Sequence, residues 1–298
     1  MRCLSPVPSC PWLPYAAAAL VACSLSARAA EDSFDGQLKT ETVSGYALPA
    51  AARSDASFYY DTVSDESRWG DLVLRLVYDG DPLKPKKIVL GGGAVMDSEQ
   101  LLVNAKDRGV ANVVLWMDRK PGQPPLRVHP SYAELAQAKV TLTTKGKAFV
   151  PHVALARTNQ PVVISNPDPH GYNVKAELFN NQAFNVLLKS GDTWDLKFQG
   201  REPTPTKLED SIHAWMSAYL LVRDDPYAAI SDASGKLKIK RLPVGEWTFV
   251  VWHETGYMRK ANLAGKDVEW QRGRVTLEIK PGENNLGEVK LPPGNFRQ

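Results

Sequence analysis

From Trp69 onward, apolar and polar residues alternate in short runs broken by Gly, Pro, Asn and Asp, a pattern that predicts strands joined by turns. DLVLRLVYDG (71–80) ends on an Asp-Gly turn, and VANVVLWM (110–117), AKVTLTT (138–144), VALARTNQPVVISN (153–166), DTWDLKF (192–198) and SAYLLVR (217–223) have the same texture. Beyond Asp224-Asp225-Pro226 the pattern tightens. KLKIKRL alternates strictly, and in FVVWHE one strand face carries Phe249, Val251 and His253 while the other carries Val250, Trp252 and Glu254. RVTLEIKPGENNLGEVKL (274–291) adds two strands. Only SEQLLVNAKDRG (98–109) and PSYAELAQA (130–138) read as helical. Residues 31–67 are small and polar without a sustained period, as expected of a linker or lead-in. The whole predicts an all-β protein of two β-sandwiches, residues 68–223 and 224–298, meeting near residue 223.

The first thirty residues change where this fold is expected to work. They have a basic start at Arg2, an apolar stretch from about Tyr15 to Leu25, and Ala27-Arg28-Ala29 as a small-residue cleavage pattern, which together read as an export signal too short to span a bilayer. Leu20-Val21-Ala22-Cys23 offers a rival lipobox cut that would leave a lipid anchor on Cys23. Either product is expected in the periplasm or outside the cell. All three cysteines (Cys3, Cys10 and Cys23) lie in this segment, so a chain cut after Ala29 has neither disulfides nor thiolate metal ligands. Removing Arg2 and Arg28 from the 36 basic residues leaves 34 against 33 acidic ones, and no basic run stands out. Nucleic acid and anionic membrane surfaces are therefore not expected partners.

Nothing in the motifs points strongly to an enzyme. GGGAV (91–95) lacks the Gly-Lys-Ser/Thr ending of a phosphate loop and reads as a turn, and there is neither a Gly-x-Ser-x-Gly elbow nor a His-Glu-x-x-His helix. Of the five histidines, His129 lies in a Pro-rich connection and is expected at the surface. Two separated stretches concentrate the remaining chemistry: Asn166-Pro167-Asp168-Pro169-His170-Gly171-Tyr172-Asn173 and Asp210-Ser211-Ile212-His213-Ala214-Trp215-Met216.

Together these stretches resemble the two copper-binding segments of cupredoxins, small Greek-key sandwiches that carry electrons. The His-x-x-Met spacing of His213 and Met216 is similar to the short amicyanin-type loop. GDLVLRLVYDG, VANVVLWM, AFVPHVALA, EWQRGR and above all the run from His213 to Glu254 resemble a group of exported bacterial proteins often labelled methylamine utilisation protein. The resemblance implies an N-terminal cupredoxin-like Greek-key domain joined to a C-terminal carboxypeptidase-regulatory-like sandwich of transthyretin or Ig type. It also exposes departures. Asp210 stands where the group has its copper-ligating Cys, Tyr172 falls at the first His position, and Lys147 and the GGGAV stretch lie where two further cysteines are expected.

Loss of the thiolate removes the covalent Cu–S bond on which a blue site depends, whereas a carboxylate suits a hard, type 2-like Cu(II) site. His170, two residues before Tyr172, would share its face in an extended segment and so become a stand-in ligand. Two functions remain open. One is an exported, non-enzymatic binding or accessory protein on a degenerate cupredoxin scaffold, with another periplasmic protein or a carbohydrate as partner. The other is a periplasmic copper-binding or electron-transfer protein with a rebuilt, non-blue site of His170, Asp210, His213 and Met216. A hydrolase acting through His152 or His253 is a third and weaker class, because Trp252-His253-Glu254 reads as structural, at the domain interface.

Overall fold

The architecture comes from a computed structural model that describes residues 58–62, 65–81, 83–90, 93–120 and 123–296. The export segment with both its processing alternatives, and most of the 31–67 lead-in, lie outside the described residues. The fold is all-β, and two sandwiches account for it, as the alternation predicts.

One sandwich is built from a continuous piece of chain. Its first sheet has the order Thr193–Leu196, Val162–Ser165, Val140–Lys145, Ala148–Val150, and its second Phe184–Leu188, Tyr172–Ala176, Thr206–Asp210, Ser217–Arg223, Val153–Arg157. Two parallel pairings, Val162–Ser165 with Val140–Lys145 and Ser217–Arg223 with Val153–Arg157, show that the chain crosses between sheets rather than running up and down. Leu142, Phe149, Ile164, Val174, Leu208 and Leu220 fill the space between the sheets.

The other sandwich takes strands from both sides of that piece. Trp69–Tyr78, expected in the first domain, lies instead in the middle of a sheet ordered Lys236–Pro243, Trp69–Tyr78, Gly282–Leu291, Lys260–Leu263, Lys266–Glu269. Val114–Met117 likewise lies between Ala228–Ile230 and Gly245–His253. The crossing at residue 223 is thus one of two, and residues 140–223 form an insertion in an outer sandwich. Alternation locates a strand but carries no information on its partner, and here the partners are about two hundred residues apart. Arg223 fixes the crossing: its buried guanidinium donates to the Met117 carbonyl at 3.0 Å and to Asp225 at 3.3 Å. The tight turn at Gly235 needs glycine, since its φ is +77° and a Cβ would sit 2.1 Å from the Leu76 carbonyl oxygen.

Both sandwiches lie within one compact unit, and an apolar seam joins them. Val114, Trp116, Val250 and Trp252 of the outer sandwich pack on Val153 and Leu221 of the inserted one, and Trp252 meets Tyr219 edge-on at 5.1 Å. The face assignment made for FVVWHE holds here. Val250 and Trp252 face the seam, while Phe249 and Val251 face the outer core. His253, expected at the interface, is fully buried beside Phe296 at 5.4 Å; Glu254 reaches across the seam in its place.

Other local expectations need correction. Residues 98–109 form no helix: Asn104 and Asp107 accept hydrogen bonds from the amides of Lys106 and Gly109, and this local competition produces turns while Val103 bridges to Val110. The stretch 130–138 holds one short helix, Tyr132–Leu135. Phe58–Tyr60, placed in the lead-in, pairs in parallel with Leu126–Val128. His129, expected at the surface, is buried beneath Trp69. The described part of GGGAV leads into a hairpin of Lys87–Val89 with Val95–Asp97. Among the described residues, no helix is long and apolar enough to cross a membrane.

Candidate functional site

Asn166 builds the first half of the site. It is buried; its side-chain amide donates to the carbonyls of His170 (2.7 Å), Leu188 (3.0 Å) and Lys189 (3.0 Å), and its oxygen accepts from the Asp168 amide and the Thr144 hydroxyl. The chain between Asn166 and Tyr172 is therefore a pinned turn, and the strand begins only at Tyr172. Tyr172 is fully buried, and its hydroxyl donates to Asp168 at 2.7 Å. Burial first, and the Asp168 carboxylate second, push the phenol up to about 12, so it stays protonated at neutral pH.

The second half is the loop from Asp210 to Met216. Asp210 ends the strand Thr206–Asp210 at only 2% exposure. Its Oδ1 accepts from the amides of Ile212 (2.6 Å) and His213 (3.0 Å), and its Oδ2 lies 3.1 Å from His213 Nδ1. The Met216 amide donates to the His213 carbonyl at 2.8 Å and closes the turn. The His213 ring is flanked by Tyr172 and Trp215, both with centroids at 5.2 Å. Met216 is buried in the core of the inserted sandwich.

The structure thus brings together Asp210, His213 and Met216, and it sets Tyr172 against His213, where the ungapped resemblance placed it. His170 is not brought in. Its side chain is exposed, and among the described residues no hydrogen bond or ring contact links it to the other three. The same-face expectation requires an extended segment, and Asn166 holds this one as a turn. Nor is there, among the described residues, any group of three or more His, Cys, Asp or Glu side chains placed to hold a metal ion.

This donor set does not fit the copper that the resemblance implies. The thiolate is replaced by a carboxylate whose oxygens are already occupied by two amides and an imidazole. The first imidazole is replaced by a protonated phenol, and His213 offers its Nδ1 to Asp210. What remains is the hydrogen-bonding pattern of a capped turn. Asp210→Ala is expected to destabilise the protein by about 1 kcal/mol in urea titration, because the part-buried amides of Ile212 and His213 lose their acceptor. Asp210→Asn keeps one oxygen for those amides and should lose markedly less.

Sequence reading missed a neighbouring cluster. His152 lies 2.9 Å from Glu254 through Nε2 and 3.5 Å from Glu99 through Nδ1, beside a pocket of about 190 Å³ that Met96, Lys147, Trp215, Met216 and Tyr219 also line. Burial alone would lower its pKa; the hydrogen bond to Glu254 and the facing Glu99 carboxylate outweigh that and raise it to about 9. His152 and Glu254 are 102 positions apart, so only the seam joins them.

No known family matches the chain by sequence, and neither does any curated protein. Partial likenesses exist among solved structures. A purple cupredoxin from Nitrosopumilus maritimus is 19% identical over 28% of this chain and 98% of its own, with a TM-score of 0.24. An oxidised amicyanin variant is 16% identical over 30% and 87%, with a TM-score of 0.25. A copper-containing nitrite reductase from Thermus scotoductus SA-01 is 15% identical over 35% of this chain and 33% of its own, with a TM-score of 0.26.

Proposed function

We propose that the chain is an exported, non-enzymatic binding or accessory protein, in which a cupredoxin-like sandwich is retained as scaffold and its copper loop has become a closed, hydrogen-bonded turn. The outer sandwich, whose part beyond residue 223 the resemblance implies to be carboxypeptidase-regulatory-like, braces that scaffold through the seam. The observation that most supports this reading is the state of Asp210. A buried carboxylate that caps two amides and holds the neighbouring imidazole serves the loop itself, and Tyr172 next to it is fastened to Asp168.

Copper loading tests the proposal. Purified protein incubated with Cu(II), or with Cu(I) under reducing conditions, and then desalted is expected to retain far less than one equivalent, with His213→Ala indistinguishable from it. Asp210→Cys alone should bind without intense colour, since Tyr172 still fills the first imidazole position. Asp210→Cys combined with Tyr172→His restores thiolate and imidazole and should give a strong thiolate-to-copper absorption. Stoichiometric copper in the unaltered protein that His213→Ala abolishes would establish the copper-handling reading instead.

A further inference from the structure

The inserted sandwich has a second built feature, at the opposite end of the strand Tyr172–Ala176 from the loop just described. There Ala176 pairs with Phe184 and Leu208, and the chain leaves the sheet through residues 177–183. Phe184–Leu188 is the edge strand of one sheet and Thr193–Leu196 the edge strand of the other. Between these edges runs a groove of about 420 Å³, where the rings of Phe184 and Trp194 meet edge-on at 4.7 Å.

The rim of this groove is held rigidly. Glu202 is fully buried, and its carboxylate accepts from the amides of Phe179 (2.9 Å) and Asn180 (3.1 Å) and from the side-chain amide of Asn181 (2.7 Å). Asn181 in turn accepts from the amides of Gln199 and Gly200, at 2.7 and 3.1 Å. A buried carboxylate with this many donors fixes one loop conformation. Yet the residue so fixed, Phe179, is 76% exposed. The Glu202 carboxylate fixes the backbone of this loop, and the exposed Phe179 ring stands one residue before Asn180 of the groove lining.

The polar groups around it narrow the ligand. The side chains of Gln182 and Gln199 are exposed and make no side-chain hydrogen bond among the described residues. Each amide both donates and accepts. Lys197 is the single charged residue lining the groove among the described residues. An anionic ligand would call for clustered cations, and a peptide added to either edge would be read by backbone rather than by neutral amides and rings. Ring faces beside donor–acceptor amides match the C–H faces and hydroxyl rim of a sugar.

We infer that the groove between Phe184–Leu188 and Thr193–Leu196, with exposed Phe179 one residue before Asn180 of its lining, binds an uncharged carbohydrate chain. This names a ligand class for the binding role proposed above but uses different residues, so the copper experiment and this one fail independently.

The whole chain is titrated calorimetrically with cellohexaose, maltohexaose and N-acetylchitohexaose, with tryptophan fluorescence followed in parallel. One of the three is expected to bind and to perturb the fluorescence. Phe179→Ala should weaken that binding about tenfold, with smaller losses for Gln182→Ala and Gln199→Ala and none for His213→Ala. Trp194→Ala should remove it. If that variant does not fold, Phe179→Ala and Gln182→Ala decide the matter, since both positions are exposed. The proposal is overturned by silence from all three sugars at about 10 mM, or by binding that Phe179→Ala and Gln182→Ala leave untouched. Capture of an extended, alternating Thr-Val peptide with no sugar bound would give the groove to a peptide strand and overturn it equally.

Discussion

A fragment ending at Val222 should fail to fold, whereas residues 138–223 alone should fold. The first would keep Trp69–Tyr78 and Val114–Met117 but lose every strand that pairs with them, namely Lys236–Pro243, Gly282–Leu291, Ala228–Ile230 and Gly245–His253. Two strands with buried apolar faces, one of them ten residues long, would be left with open edges and a bare face, the condition under which chains aggregate. The second fragment contains all nine strands of the inserted sandwich together with its core. It would expose Val153, Tyr219 and Leu221 of the seam, so it should be β-structured by circular dichroism and prone to self-association in sedimentation. A folded, monomeric product of the first fragment would contradict the strand partners described here.

Stability is expected to peak between two buried histidines of opposite behaviour. His152, with its side chain 8% exposed, has a folded pKa of about 9, raised above the ordinary value of 6.5 by Glu254 and Glu99. The folded state therefore binds a proton more tightly than the unfolded one. That contribution is fully present below pH 6.5 and is lost as pH rises through about 9; it amounts to about 3 kcal/mol. His253 behaves conversely. Burial first, and the neighbouring positive His152 second, lower it to about 3, so the unfolded chain takes up a proton between pH 6.5 and 3 that the folded chain refuses. Stability is lost as pH falls through that window. A plot of Tm against pH should show both limbs. His152→Gln should flatten the alkaline limb, and His253→Gln the histidine part of the acid one. An alkaline limb unchanged by His152→Gln would show that His152, Glu254 and Glu99 do not set it.

What could be read from the chain alone was whatever is local. Strand faces follow from period two, and FVVWHE shows it, with Val250 and Trp252 on the seam and Phe249 and Val251 in the outer core. Asp210, His213 and Met216 come together because one short loop carries all three. The position of Tyr172 against His213 was legible through the resemblance. Partners distant in sequence were not: nothing in Trp69–Tyr78 announces Gly282–Leu291, and nothing in His152 announces Glu254. His170 shows a subtler limit. The two-residue rule is sound for a strand, but a buried Asn166 had already taken the His170 carbonyl into a turn.

The parallel pairing of Trp69–Tyr78 with Gly282–Leu291 has a mechanical consequence. Tension applied at Trp69 on the first strand and at Leu291 on the second would pull these neighbouring strands in opposite directions along their lengths. Their ladder hydrogen bonds would then share the load and have to break together, in shear, rather than one after another as in a zipper. Force-driven opening is governed by the barrier to unfolding rather than by net stability, so the shear geometry sets the resistance of the outer sandwich to pulling. The inserted sandwich lies off that line of force. It would be loaded only after the outer sheet has torn, which leaves its loops and grooves undistorted while the rest of the chain is under strain.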